Sequence, residues 1–106
     1  MRSLAASAPL FAALGDETRL RIVSRLCTGP TSIARLTDDA EVTRQAITKH
    51  LHVLEGAGLV RVKKRGRETI WALEARRLDD AKKYLDQISA QWDEALARLK
   101  DLVEED

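Results

Sequence analysis

Apolar residues recur along this chain in three rhythms, and each rhythm predicts an element. Leu10, Phe11 and Leu14 share one face of a first amphipathic helix over about residues 4 to 14. Gly15-Asp16-Glu17-Thr18-Arg19 opens a second helix. Asp16 is placed to cap its free N–H groups, and the Asp16 and Glu17 charges suit the positive helix end. Leu20, Val23, Leu26 and Cys27 follow as a core-facing stripe, and Gly29-Pro30 stops the helix. A short helix over about 33 to 37 turns Ile33 and Leu36 inward, and Thr37-Asp38-Asp39-Ala40-Glu41 is a polar turn. Thr43 caps the next helix, which buries Ile47, Leu51 and Leu54 and ends near Gly56-Ala57-Gly58.

The rhythm then shortens to two. Leu59 to Arg65 alternates Val60 and Val62 against Arg61 and Lys63. Gly66 sits where a turn needs positive φ, and Thr69, Ile70 and Trp71 give residues 68 to 73 high strand preference. The result is a hairpin with a basic tip of Lys63, Lys64, Arg65 and Arg67. From about Ala75 to Val103 the rhythm lengthens to heptads. Leu78, Ala81, Leu85, Ile88, Trp92, Ala95, Leu99 and Leu102 alternate steps of three and four, with no Gly or Pro between them. Such a helix of ~28 residues is about 42 Å long. A small domain cannot bury that length, so the seam predicts a second copy of the chain. Packing on the chain's own first helix is the competing reading.

Composition narrows the class. A length of 106 residues suits one domain, residues 1–106, with 44% apolar and 33% charged residues as in a soluble globular protein. Only 4% is aromatic, which favours helices packed by aliphatic side chains. Cys27 is the single cysteine, so no disulfide forms within the chain, and a cytoplasmic setting is expected. The start carries one basic residue and a weak apolar stretch broken by Pro9; it reads as a helix rather than a leader peptide. No apolar run approaches the roughly 18 residues of a membrane span. Net charge is only +1, but its distribution is uneven. Residues 1 to 77 hold 14 Lys/Arg against 8 Asp/Glu, a balance of +6; residues 78 to 106 hold 4 against 9, a balance of −5.

The chemistry concentrates on residues 43 to 55. With Ile47, Leu51 and Leu54 turned inward, Arg44, Gln45, Thr48, Lys49 and His52 occupy the other surface. Arg grips guanine O6 and N7, and Gln grips adenine N6 and N7, so Arg44 and Gln45 in the first turn are candidate base readers. Thr48 and Lys49 lie one turn on, within reach of a base edge or a phosphate. Ser32 and Thr43 stand near helix N-termini, where backbone N–H groups bind phosphate. Arg65 and Arg67 on the hairpin suit a minor groove or the DNA backbone. The bland alternatives are a solvated helix face and a basic edge that discourages strand pairing. His50 falls on the flank of the buried stripe, where packing or capping is expected instead of DNA reading.

These residues carry a resemblance. Phe11-Ala-Ala-Leu-Gly-Asp-Glu-Thr-Arg-Leu-Arg-Ile is similar to the N-terminal signature of ArsR/SmtB-type bacterial repressors. Thr43-Arg-Gln-Ala-Ile-Thr-Lys-His-Leu, then Val53-Leu-Glu and Gly58-Leu-Val, resembles that family's recognition helix, and Arg65-Gly-Arg its wing. The resemblance covers residues 10 to about 75. It implies a mainly α fold with a small β-hairpin, a winged helix-turn-helix in the order ααααββα. Residues of about 32–56 would be the helix-turn-helix and 59–73 the wing, with about 4–14 and 75–103 as dimerisation helices. It further implies a homodimer reading an inverted repeat in double-stranded DNA. The interface would take Leu10, Leu78, Ala81, Leu85, Ile88, Trp92, Ala95 and Leu99.

The last 30 residues look like a subgroup without metal ligands. Metal-sensing relatives carry paired cysteines in the short helix, where this chain has Ser32-Ile-Ala-Arg-Leu-Thr. The last helix offers carboxylates but no His, which does not suit zinc. His50 and His52 stand about 200° apart around their helix and cannot chelate one ion. Cys27, on an apolar stripe, is expected to be an inert core thiol, with thiol redox sensing as the alternative. No nucleophile–base arrangement or phosphate loop points to an enzyme. The expectation is a repressor without cofactor that acts in the cytoplasm on the nucleoid; the alternative is a winged-helix module that docks another protein.

Overall fold

A computed structural model describes residues 4–38 and 40–104, with the side chain of Leu4 also outside the description. Asp39 of the expected polar turn lies outside the described residues. The elements are α1 (Leu4–Leu14), α2 (Glu17–Leu26), β1 (Thr31–Ser32), α3 (Ile33–Asp38), α4 (Arg44–Gly56), β2 (Val60–Arg65), β3 (Glu68–Leu73) and α5 (Ala75–Glu104). This is the expected winged helix-turn-helix, with one added strand. β1 pairs antiparallel with β3 through Thr31↔Trp71 and Ser32↔Ile70, so the sheet has the order β1-β3-β2. A two-residue strand has no periodicity to detect. It ties the start of α3 to the wing and sets the angle between them.

The core lies where α1, α2, α3 and α4 meet the sheet. Ile47, Leu51 and Leu54 are 0–1% exposed and form the expected back of α4. A helix of 13 residues is marginal alone. Each of these side chains contributes roughly 1.5–3 kcal/mol by burial, so packing rather than propensity holds α4 in place. Both predicted caps form: Asp16 accepts from the Arg19 N–H at 3.0 Å and the Thr43 hydroxyl from the Ala46 N–H at 3.1 Å. Gly66 has φ 64° and is the first of two turn residues between the paired Arg65 and Glu68, the position where a tight hairpin turn requires glycine.

Several expectations change. α2 buries Ile22 and Leu26, whereas Leu20 is 52% exposed and Cys27 is exposed at the C-cap. The Leu20–Val23–Leu26–Cys27 stripe is therefore turned partly to solvent, and Cys27 is not a core thiol. In β2 Val60 is buried but Val62 is 42% exposed although its partner Trp71 is buried, because β2 is an edge strand of the sheet. Leu10 and Ala81, expected at an interface with a second chain, are 1% and 5% exposed within this one. Both belong to the core in which α1 packs on α5 and have almost no surface left to offer.

That packing ends early. The Phe11 and Tyr84 rings sit 5.6 Å apart, Ile88 one turn on is half-buried, and most of the apolar residues that follow are exposed. Leu85, Trp92, Leu99 and Leu102 are 50–66% exposed. Leu96 and Val103, outside the predicted seam, are exposed as well and widen the apolar band. The molecule measures 66 × 31 × 22 Å, its long dimension set by this projecting helix.

Candidate nucleic-acid interface

α4 presents Arg44, Gln45, Lys49 and His52 to solvent, with Thr48 half-buried among them. Arg44 and Gln45 stand in the first turn because Thr43, in extended conformation, starts the helix there. The Thr48 hydroxyl donates to the Arg44 carbonyl at 2.9 Å, so towards a ligand it has only lone pairs to offer. Ser32 plays the capping part for α3, accepting from the Arg35 N–H at 3.3 Å. On the wing, Arg65 and Arg67 are exposed on either side of Gly66.

Four of these residues come together. A groove of about 350 Å³ runs between α3, α4 and the wing, lined by Ser32, Arg44, Thr48 and Arg67 with Glu68, Thr69 and Trp71. The Arg44 and Arg67 guanidinium groups and the Ser32 hydroxyl thus bring donors together from three elements, a set that suits an acceptor such as a phosphate oxygen or a guanine edge, while Thr48 adds only lone pairs. Gln45, Lys49 and Arg65 lie outside the groove lining, as does Thr43. Thr69 and Trp71 are not legible as site residues in the sequence; only the strand pairing that brings β3 beside α3 places them there. Glu68 is the one carboxylate in the groove, and it disfavours an anion at that end.

His52 has partners within the chain. Its Nδ1 lies 3.3 Å from Glu55 Oε1, and its ring meets Trp71 edge-on at 5.9 Å. The histidine therefore braces α4 against the wing as well as facing outward. His50 behaves as its flank position predicts: it is half-buried and turns inward, to Arg19 and Asp16 of the α2 start. Among the described residues, no group of three or more His, Cys, Asp or Glu side chains comes together that could hold a metal ion. No helix is long and apolar enough to cross a membrane, again among the described residues.

Known proteins repeat this arrangement. A helix-turn-helix domain profile matches residues 14–63. The HTH-type transcriptional regulator Rv2034 of Mycobacterium tuberculosis is 35% identical over 92 residues, covering 87% of this chain and 83% of its own length. An ArsR-like transcriptional regulator from Rhodococcus sp. RHA1 superposes with a TM-score of 0.75 at 39% identity, over 96% of each chain. The fold also recurs, at 20% identity and a TM-score of 0.67, in a homodimeric winged helix-turn-helix DNA-binding domain from Mycobacterium bovis; the match covers 90% of this chain and 85% of that one. With relatives of this identity and coverage, and with the helix, wing and long terminal helix in the same order, the chain belongs to the ArsR family of DNA-binding, winged helix-turn-helix transcriptional regulators.

Proposed function

We propose that the chain is a homodimeric repressor that reads an inverted-repeat operator and carries out no chemistry. The observation that carries this reading is the groove in which Ser32, Arg44, Thr48 and Arg67 converge beside the exposed face of α4. Arg44 and Gln45 read base edges, and Lys49 and His52 contact the edge or backbone further along. Ser32 and Thr43 present their helix N-termini to phosphates. Arg65 and Arg67 follow the backbone or enter the minor groove. Occupying a promoter is enough to exclude polymerase, so no catalytic group and no cofactor is required.

Dimerisation is supported by the apolar band on α5, where Leu85, Trp92, Leu96, Leu99 and Leu102 are 50–66% exposed. It is also in keeping with the homodimeric relative from Mycobacterium bovis. Leu78, Leu85, Ile88, Trp92, Ala95 and Leu99 form the contact, Leu10 and Ala81 lie beneath it, and Leu96 joins it. A two-fold axis then sets two α4 helices into successive major grooves. We further read residues 1–106 as one domain, with action in the cytoplasm and no resident metal.

Selection of duplexes from a random-sequence pool tests the proposal. A near-palindromic site should emerge, and Arg44→Ala should weaken its binding by about 1–3 kcal/mol with fold and dimer intact. Enrichment of no sequence at all would remove the DNA reading and leave the protein-docking module as the better account.

A further inference from the structure

One guanidinium joins three parts of the molecule behind α4. Arg19 Nε donates to the carbonyl of Ala13, and a terminal nitrogen reaches the carbonyl of Ala12 at 3.5 Å, closing the last turn of α1. The other terminal nitrogen lies 3.3 Å from His50 Nδ1 in α4. A guanidinium only donates, so His50 Nδ1 accepts, and the neutral ring carries its proton on Nε2. The Arg19 backbone N–H is itself held by Asp16, whose Oδ1 stands 3.9 Å from the same ring nitrogen. The three guanidinium nitrogens each face a different acceptor, a spread that the single nitrogen of an ammonium does not match.

The location gives this contact a purpose beyond capping. Ile47, Leu51 and Leu54 fix the depth of α4 in the core. Aliphatic contacts are non-directional and specify rotation about the helix axis weakly. His50 stands on the flank of that stripe, roughly 140° around the helix from Gln45 at 100° per residue. A directional bond there resists rotation of α4 without occupying the face that meets DNA. Its other end is anchored on α1, which packs on α5 through Phe11 and Tyr84. We propose that Arg19 and His50 are positioning residues: together they fix the angle of α4 against the α1–α5 frame and so set sequence-specific affinity without touching DNA. The inference rests on the reading of α4 as the DNA helix given above.

The test uses the whole chain and two readouts. Nitrogen-15 NMR of the histidine rings should find His50 with Nδ1 unprotonated, and Arg19→Lys should abolish that preference. Binding is then measured on the duplex that the wild type selects, with calf-thymus DNA as the non-specific reference. His50→Ala should lose about tenfold on the selected duplex and nothing on calf-thymus DNA. His50→Asn, which keeps an acceptor near the Nδ1 position, should return to within about twofold of wild type. The dimer constant should be the same for all three, and each should melt well above the assay temperature, with any small drop in melting temperature recovered by Asn. A protonated Nδ1, an Asn variant as weak as the Ala variant, or an equal loss on both DNAs overturns the positioning role. A wild type that selects no duplex overturns the DNA reading itself, an outcome distinct from a wild type that selects one and a His50→Ala variant that keeps it.

Discussion

Asp16 illustrates how much one side chain settles at this scale. The Arg19 N–H donates to its carboxylate, and that bond holds its carboxyl below the ordinary value of 3.8; desolvation opposes it, and the Arg19 charge and the Thr18 N–H add to the lowering. A carboxylate lowered in the folded state stabilises the fold above its unfolded pKa and loses that contribution as pH falls through the folded value. Asp16→Asn keeps the cap but not the charge. It should therefore melt lower than wild type at neutral pH, and the gap should close on acidification below the usual carboxylate range. Thermal melts of both proteins from pH 7 down to pH 3 check this; a constant gap would mean that the charge is irrelevant. Caps such as Asp16 and Thr43 are legible in sequence because their chemistry is local. The buried face of α2 is not. Ile22–Leu26 and Leu20–Val23–Leu26–Cys27 are both valid helical stripes, and only packing against α1, α4 and β3 selects the first and leaves Cys27 exposed.

At the scale of elements, α5 separates what periodicity specifies from what it leaves open. The heptad rhythm marks a helix from Ala75 onward, and the helix runs Ala75–Glu104. Periodicity does not say which turns are covered by the chain itself. Its first turns bury Ala81 against α1, and its later turns leave Trp92 64% exposed. Packing on the chain's own first helix thus accounts for the first turns of the seam, and the later turns are left open to a partner. Exposed apolar surface on this scale is what a partner surface looks like before assembly. Ile88 stands at the junction, half-buried where the body ends. A carboxylate placed there by Ile88→Glu would be desolvated without a partner in the proposed dimer, at a cost of several kcal/mol. Analytical ultracentrifugation should find the variant monomeric at concentrations where wild type is dimeric, with α-helix content nearly kept. An unchanged dimer would move the interface off this seam. The short β1 strand marks the opposite limit: two residues carry no rhythm, and it exists because β3 offers them an edge.

The whole molecule separates its charges along its length. The +6 balance belongs to the part bearing α4 and the wing, and the −5 balance to residues 78 to 106, most of them in the projecting helix. An acidic arm beside phosphates would be repelled, so the arm is best placed away from DNA while the basic body meets it. In a dimer, Arg44, Lys49, Arg65 and Arg67 of each chain supply eight cations near the proposed groove surface. Each phosphate neutralised lowers the slope of log K against log salt by about 0.9. If half to all of the eight engage phosphates, the slope lies between about −4 and −7. Arg67→Ala removes two cations per dimer and should flatten the slope by up to about 2, whereas Lys100→Ala on the arm should leave it unchanged. Titrations of the selected duplex from 50 to 300 mM salt read all three. A slope near zero, or equal flattening by Arg67→Ala and Lys100→Ala, would mean that the charge division along the chain does not organise DNA binding. The sequence makes the division visible by counting, but only the fold, by carrying α5 out of the body past Ile88, turns it into a division in space.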